Sequence, residues 1–397
     1  MASIPNGANG HGTHEIVQTL SEITPESFAN DGERIQILTA VYALVARLET
    51  PWDFVLRLCM GQPALGASLK VAKDLGIFDK WHELGDLELT SAKPAEIASC
   101  EPKLLYRLLQ HLATNHVLQE TSKGVFKPTS LSISFTKPVF GEWINHFCAR
   151  YDATLPCYFR LPEYLAKVGY KTPLDPKDGV FQYVKDWHGD MFHYYDAHTV
   201  EGNSFNQVMG GVMANQAGWL DIFPHNSLLN DDTNLPLLVD VGGSIGHDIE
   251  KFRTAHPETV SRLYLEDRSD VVKESASPVN KASHDFFTPQ PIKGARAYYM
   301  HGVLHDWSDE PARKILEMQK DAMTPGYSKL LIHDHIAPDG LAHPHTTAYD
   351  LTMMVMVAGG ERDESQWREL LKSAGYKIDK IWSSPLAVQK IIEAQLE

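Results

Sequence analysis

The stretch Met300–Glu310, MHGVLHDWSDE, sets His305, Asp306 and Trp307 side by side where an apolar run gives way to a segment of helical period. A histidine at such a seam has proton chemistry open to it, because an imidazole of pKa ~6.5 takes up and returns protons near neutrality. The plainer reading is a histidine that ends a strand and fills space, and most of the chain's 19 histidines must be of that kind. Place separates the two. In an open α/β sheet the ligand crevice lies beyond the carboxyl ends of the strands, which is where His305 stands if the preceding run is a strand. Asp306 reads as the N-cap of a helix beginning near Ser308, a common use of aspartate.

A second constellation lies upstream in VDVGGSIGHD, Val239 to Asp248. Asp240 closes an apolar run, and Gly242, Gly243 and Gly246 follow in the turn before a helix. Such glycines permit a tight turn and let a ligand lie against backbone N–H groups. The spacing is a weak signal by itself, and no basic residue stands ready for a pyrophosphate. Asp240 and Asp248 repel phosphate and instead suit a cationic ligand, such as the amino group of S-adenosyl-L-methionine. After the next strand, YLEDRSD offers Asp267, or its rival Glu266, to ribose hydroxyls. At the strand end after that, SHDFF offers Asp285 and Phe286 to the amine and flat face of an adenine. Each acid alone is an ordinary loop residue, whereas acids on three successive strand ends outline a nucleoside site.

These residues need a parallel sheet to bring them together, and the last part of the chain supplies its pattern. LPLLVDVGG, AYYMHGVLH and KLLIHDHI are apolar β runs, each followed by helical period, as in EPARKILEMQKDAM and DESQWRELLKSAG. That alternation predicts a Rossmann-like, doubly wound α/β domain over residues 233–397. Residues 1–26 read as a flexible leader. Residues 27–135 read as a helical and winged-helix dimerisation domain. Within it an amphipathic helix runs from about Ser27 to Glu49, ended by Pro51, and three further helical stretches precede a hairpin of Val117–Gln119 with Val125–Pro128. Residues 136–232 read as a helical middle region broken by Pro156, Pro162, Pro173 and Pro176. There Phe181, Trp187, Phe192 and Tyr195 are spaced to line a cavity or simply to pack. Met353, Met354 and Met356, on an apolar helix, either form an adaptable wall or fill core.

Composition narrows the function classes. The 397 residues carry a formal charge of −15, with 43% hydrophobic and 22% charged residues. That balance belongs to a globular chain and argues against an electrostatic grip on nucleic acid or an anionic membrane. A winged helix invites a DNA-binding reading, but the segment Pro102–Thr114 is mostly leucine with only Lys103 and Arg107 as strong cations. Cys59, Cys100, Cys148 and Cys157 form no CxxC pair, so neither a zinc site nor a disulfide framework is expected. No segment reads as a secretory signal or membrane span, and the expected setting is cytoplasmic.

The stretches LVDVGGSIGHD, HDFFTPQPIKGARAYYMHGVLHDWSDEPARKIL, PGYSKLLIHDHIAPD, DLTMMVMVAGGERDESQWRELLKSAGYKI and, earlier in the chain, LPEYLAKVGYKTPLDPKDGVFQYV resemble the fungal S-adenosylmethionine-dependent O-methyltransferases related to plant caffeate-type enzymes. The resemblance implies a homodimer with interlocked N-terminal helices, a C-terminal cofactor-binding domain, and an aromatic or polyketide-like small-molecule substrate held between that domain and the helical middle. It implies that His305 is the general base, that Asp334 and Glu361 flank it, and that Asp240, Gly242, Asp267, Asp285 and Phe286 hold the cofactor, to which the turn pattern adds Gly243 and Gly246. The chain departs from the plant pattern with Asp334 in place of glutamate, Arg268 after the ribose acid, and His301 where a lysine lies near adenine. An alternative shares the fold: some fungal relatives bind the same cofactor yet catalyse dehydration or pericyclic ring closure. His305 with Glu361 favours methyl transfer, while Arg268, Asp334 and the histidines His188, His193 and His198 favour the alternative.

Overall fold

A computed structural model describes residues 12–148, 154–214, 218–229, 234–338, 340, 344–384 and 387–397. The chain falls into two compact units, residues 1–59 and 60–397, a division that cuts through the region 27–135 of the sequence reading.

The first unit is helical. The described part of the expected flexible leader contains a helix, Thr13–Glu22, whereas residues 1–11 lie outside the described residues. The expected amphipathic helix runs Asp31–Leu48, started by the Asn30 side chain, which accepts from Glu33 N–H. Pro51 then opens a new helix, Pro51–Leu56, at the position where its missing N–H costs nothing, beneath a Thr50–Asp53 capping box. Ile16, Val17, Leu20, Leu38, Val41, Val45, Leu48 and Trp52 are exposed along these helices.

The second unit begins with the winged-helix elements. Helices Gln62–Asp74, Ile77–Glu83, Ala92–Ile97 and Pro102–Thr114 pack with strands β1 (Leu89–Thr90), β2 (Leu118–Ser122) and β3 (Val125–Pro128), in the order β1-β3-β2. Leu105, Leu109 and Leu112, spaced four and three apart, place one face of helix Pro102–Thr114 fully in the core. The middle region follows as helices Pro138–Cys148, Thr154–Lys167, Val180–Lys185, Met191–Ala197 and Thr199–Ala214. Pro156 and Pro162 do not break it. Both lie within Thr154–Lys167, Pro162 in its interior, where tertiary packing outweighs the lost hydrogen bond.

The rest is the expected sheet: β4 (Leu238–Val241), β5 (Leu263–Asp267), β6 (Asn280–Ser283), β7 (Ala297–His301), β8 (Lys329–Asp334), β9 (Tyr376–Trp382) and β10 (Lys390–Leu396), ordered β6-β5-β4-β7-β8-β10-β9. β4 through β8 pair in parallel, and β10 runs antiparallel to both neighbours. β7 alternates strictly: Ala297 and Tyr299 enter one core, Tyr298 and Met300 the other, so both faces are covered. Because the chain order reverses at β4 and β7, their carboxyl ends form the crevice of the sheet. No helix among the described residues is long and apolar enough to cross a membrane.

Candidate active site

β7 is buried throughout and ends at His301, after which Gly302 turns the chain at φ +60° into a single 3₁₀ turn, Leu304–Asp306. Leu304 anchors this turn at 0% exposure, and His305 stands on it with its side chain 13% exposed. Nδ1 of His305 lies 2.9 Å from Glu361 Oε1 and 3.8 Å from Asp334 Oδ1, while Nε2 lies 3.6 Å from Asp306 Oδ1. A carboxylate only accepts, so Nδ1–H donates to Glu361 and Nε2 is the nitrogen left for an incoming hydroxyl.

Two elements bring the acids in. Asp334 is the last residue of β8, the strand paired with β7. Glu361 comes from the loop after helix Pro344–Val357, where Ala358 takes φ +57° and Gly359 and Gly360 follow. Gly360 N–H donates to His305 O at 2.9 Å, and Glu361 N–H donates to Asp350 Oδ1 at 2.9 Å. A Cβ on Gly359 meets the carbonyl oxygen of His305 and the backbone of Asp306, so only glycine lets the loop lie this close.

The electrostatics follow from three acids around one imidazole. Burial works against a charged His305, but Asp334, Asp306 and Glu361 outweigh it and hold the ring at about 10. Burial pushes Asp334 up to about 7 and Asp306 up to about 6, with His305 pulling both back in part. Burial also opposes the charge of Glu361, but His305 overrides it and holds that carboxyl below its ordinary value. Neither oxygen of Asp334 has a hydrogen-bond partner among the described residues, at 0% exposure.

The glycine turn meets Val303, two residues before His305. Gly242 sits at φ +72°, and a Cβ there lies 3.0 Å from Val303 Cγ2 and 3.6 Å from the Phe286 ring. A Cβ on Gly243 lies 2.5 Å from Asp240 Cγ and 2.6 Å from Leu265 Cδ1, while Gly246, at φ +95°, opens helix His247–Ala255. Asp240 is 1% exposed and its Oδ2 has no hydrogen-bond partner among the described residues; burial first, then Asp248 and Asp267, push its carboxyl well above the usual range. Glu266 and Asp267 point in different directions. Glu266 turns into the core, where Oε2 accepts from Gln290 at 2.7 Å, while Asp267 Oδ2 accepts from Ser244 N–H at 2.7 Å in the glycine turn. Asp285 is exposed, with Oδ1 accepting from Phe287 N–H at 3.0 Å.

Several expected residues go elsewhere. Asp306 is not a cap: Ser308 holds the N-cap position of helix Asp309–Lys320, and Asp306 faces the histidine. Phe181 is fully buried among Tyr194 and Tyr195, and Trp187 packs edge-on against Tyr194 with its indole N–H on Asp190 O, so both serve packing. Phe192 does reach the site, stacking on Trp307 with centroids 6.3 Å apart, and the edge of Trp307 meets Phe286 at 6.1 Å. Met353 and Met354 are partly buried against the aromatic middle cluster. His193 pairs with Asp190 and His198 stacks on Tyr194 at 3.9 Å, so neither turns to His305; His188 is exposed. His301 is spent as well, with Nδ1 against Asp248, Nε2 2.9 Å from Gln389 Oε1, and its face on His333 at 3.9 Å. Asp306 and Gly359 were hidden from sequence reasoning. The GGERD stretch carried the only signal for the second.

Family models match at residues 187–377, an O-methyltransferase domain, and at residues 55–138, an O-methyltransferase dimerisation domain. The O-methyltransferase mfmE of Annulohypoxylon moriforme is 70% identical over 403 residues, spanning all of both chains. Among solved structures, one described as a pericyclic reaction enzyme superposes with a TM-score of 0.87, and LepI in complex with SAM with 0.88. Each is 25% identical and covers 97% of this chain and 99% of its own.

Gly359→Ala is expected to destabilise the protein by about 1–3 kcal/mol, because the added methyl group overpacks the backbone of His305 and Asp306. A thermal melt against the parent protein checks this, and an unchanged melting temperature refutes the close approach.

Proposed function

The chain belongs to the S-adenosylmethionine-dependent O-methyltransferase family, and we propose that it methylates a phenolic or enolic hydroxyl of a polyketide-like fungal secondary metabolite, with His305 taking the hydroxyl proton. The observation that carries this reading is the 2.9 Å contact of His305 Nδ1 with Glu361, which leaves Nε2 as the nitrogen that can exchange a proton with the acceptor.

The site has the donor set that S-adenosyl-L-methionine needs. Asp240 offers the amino group a buried oxygen that has no hydrogen-bond partner among the described residues, and Gly243 lets the turn's backbone lie against the Asp240 carboxyl, where a Cβ would collide. Asp267 keeps lone pairs for ribose hydroxyls although its oxygens already hold Ser244 and Arg268 N–H groups. Phe286 presents its ring over Gly242 and Asp285 stands at its side for the adenine amine. Gly246 starts the helix behind the turn. When bound, the cofactor supplies a methyl group on a positively charged sulfur, open to in-line displacement by an oxygen.

The chain's own residues then have two tasks. Phe192 and Trp307, with Met353 and Met354 behind the aromatic cluster, hold a flat acceptor so that its oxygen is in line, and positioning is the larger share of the rate. His305 receives the proton. With its pKa raised to about 10 the ring is mostly protonated at neutral pH, and it is the neutral form, whose basicity matches a phenol's ~10, that takes the proton on Nε2. Glu361 fixes the tautomer and stabilises the imidazolium, and Asp334 adds its field from the other side.

A homodimer built through the N-terminal helices is part of the proposal, supported by the dimerisation-domain match and by the apolar residues exposed on those helices. A cytoplasmic setting suits the thiols of Cys59 and Cys100, which form no disulfide among the described residues. The likeness to the pericyclic enzyme favours a second reading, ring closure with the cofactor unconsumed. Its product is an isomer of the substrate, whereas methyl transfer leaves S-adenosylhomocysteine and a heavier product.

His305→Ala is expected to lower turnover of a phenolic acceptor roughly 10²–10⁴-fold while S-adenosylhomocysteine still binds in calorimetry. Retained turnover defeats the assignment. With all three acids raising the histidine's pKa, kcat climbs from pH 7 toward pH ~10, and Glu361→Gln, which removes one of them, moves that rise to lower pH. A rise that stays in place, or moves up, contradicts the cluster's electrostatics. Asp240→Asn is expected to weaken S-adenosylhomocysteine binding by about 1.5–3 kcal/mol, the worth of a charge-assisted hydrogen bond. Unchanged affinity in calorimetry removes Asp240 from the cofactor site.

A further inference from the structure

Arg362 follows Glu361 in the GGERD loop and is 6% exposed. Its Nη1 donates to Leu304 O at 2.9 Å, its Nη2 to Trp307 O at 2.6 Å, and its Nε to Asp309 Oδ1 at 2.9 Å. Leu304 and Trp307 bracket His305 and Asp306. The turn between them is weakly self-supporting, since its own bonds, Asp306 N–H to Val303 O and Trp307 N–H to Leu304 O, are both 3.3 Å long. Its carbonyls are instead gripped from outside: Leu304 and Trp307 by Arg362, and His305 by Gly360 N–H at 2.9 Å.

The start of the next helix does not explain this arrangement. Asp363 caps helix Glu364–Ser373 by itself, accepting from Gln366 N–H at 2.8 Å. On the other side, Arg362 O accepts from Ala337 N–H at 2.9 Å, which ties the same residue to the segment following Asp334. The acid on Nδ1, the turn carrying the ring, and the strand end bearing the second acid therefore meet at one side chain and its backbone.

We propose that Arg362 is the positioning residue of the site, a guanidinium clamp that holds the His305 turn so that the ring stays on Glu361 with Nε2 facing the acceptor. Three acceptors spread around one plane call for the fixed fork of arginine; the single ammonium of lysine satisfies fewer of them and leaves the turn free to drift. A drift of about 1 Å in a reacting group costs up to about a hundredfold in rate without touching substrate affinity. The inference rests on His305 being the base.

The test takes Arg362→Lys and Arg362→Gln in the full chain, with S-adenosylmethionine and a phenol that the parent protein methylates. The expected result for Arg362→Lys is a kcat about tenfold to a hundredfold lower, with KM for the phenol and the calorimetric affinity for S-adenosylhomocysteine unchanged. The rise of kcat with pH moves to lower pH as the ring slackens from Glu361, and Arg362→Gln shows a larger loss of the same form. Parent-like kcat and pH profile in Arg362→Lys overturn the proposal. So does a loss of cofactor affinity and melting temperature in proportion to kcat, or failure of both variants to fold, since either makes the residue a prop of the fold alone. His305→Ala run alongside separates the two claims: if it still turns over, the base assignment fails; if it is dead while Arg362→Lys is parent-like, only the clamp fails.

Discussion

The hydrogen bond from His305 Nδ1 to Glu361 is the contact on which the site depends, and much of the surrounding structure exists to permit it. The two residues come from distant parts of the chain, a turn after β7 and a loop before the last helix. For their side chains to meet, the two backbones must nearly touch, which is why the loop runs Ala358-Gly359-Gly360 with a left-handed alanine ahead of the glycines. The loop is in turn fastened by Asp350 on the Glu361 N–H and by Arg362 on the turn's carbonyls. The contact commits Nδ1 to the acid and leaves Nε2 as the nitrogen that titrates.

The cluster also illustrates how charge is managed without water. Three carboxyls and one imidazole share a largely buried space, and burial alone discourages ionisation of every one of them. The compromise is uneven. Glu361, hydrogen-bonded to the ring, stays charged; Asp334, at 0% exposure and without a hydrogen-bond partner among the described residues, is pushed to about 7. The glycine turn repeats the theme with Asp240, whose orphaned oxygen belongs with a ligand that brings positive charge of its own. A chain of net charge −15 that keeps acids inside its crevice is built for a cationic guest.

Much of this was legible in the sequence, because period and place are both written there. The alternation of apolar runs and helical segments fixes a parallel sheet, and strand ends in such a sheet announce their ligand residues, so Asp240, Asp267 and His305 stand where pattern reasoning puts them. What escaped depends on contacts between distant segments. Asp306 has the spacing of a helix cap, and only the 3₁₀ turn, which delays the helix to Asp309, turns it to the histidine instead. Phe181 and Phe192 look equivalent as aromatics on neighbouring helices, yet one is walled in by tyrosines and the other reaches Trp307. Pro162 reads as a breaker and sits inside a helix, since local propensity yields to packing. Of the histidines that favoured ring closure, His193 and His198 are occupied, in the first turn and at the C-cap of helix Met191–Ala197, and His188 is exposed.

The charge state of one ring tests the account most directly. In protein carrying ¹⁵N-labelled histidine, with the His305→Ala variant serving to assign the signal, long-range proton–nitrogen correlations across a pH titration report each ring nitrogen separately. The account requires His305 to keep Nδ1 protonated throughout, with Nε2 as the nitrogen that titrates, at a pH far above the ordinary histidine value of ~6.5. A midpoint near that ordinary value, or a His305 whose Nδ1 is bare, contradicts it.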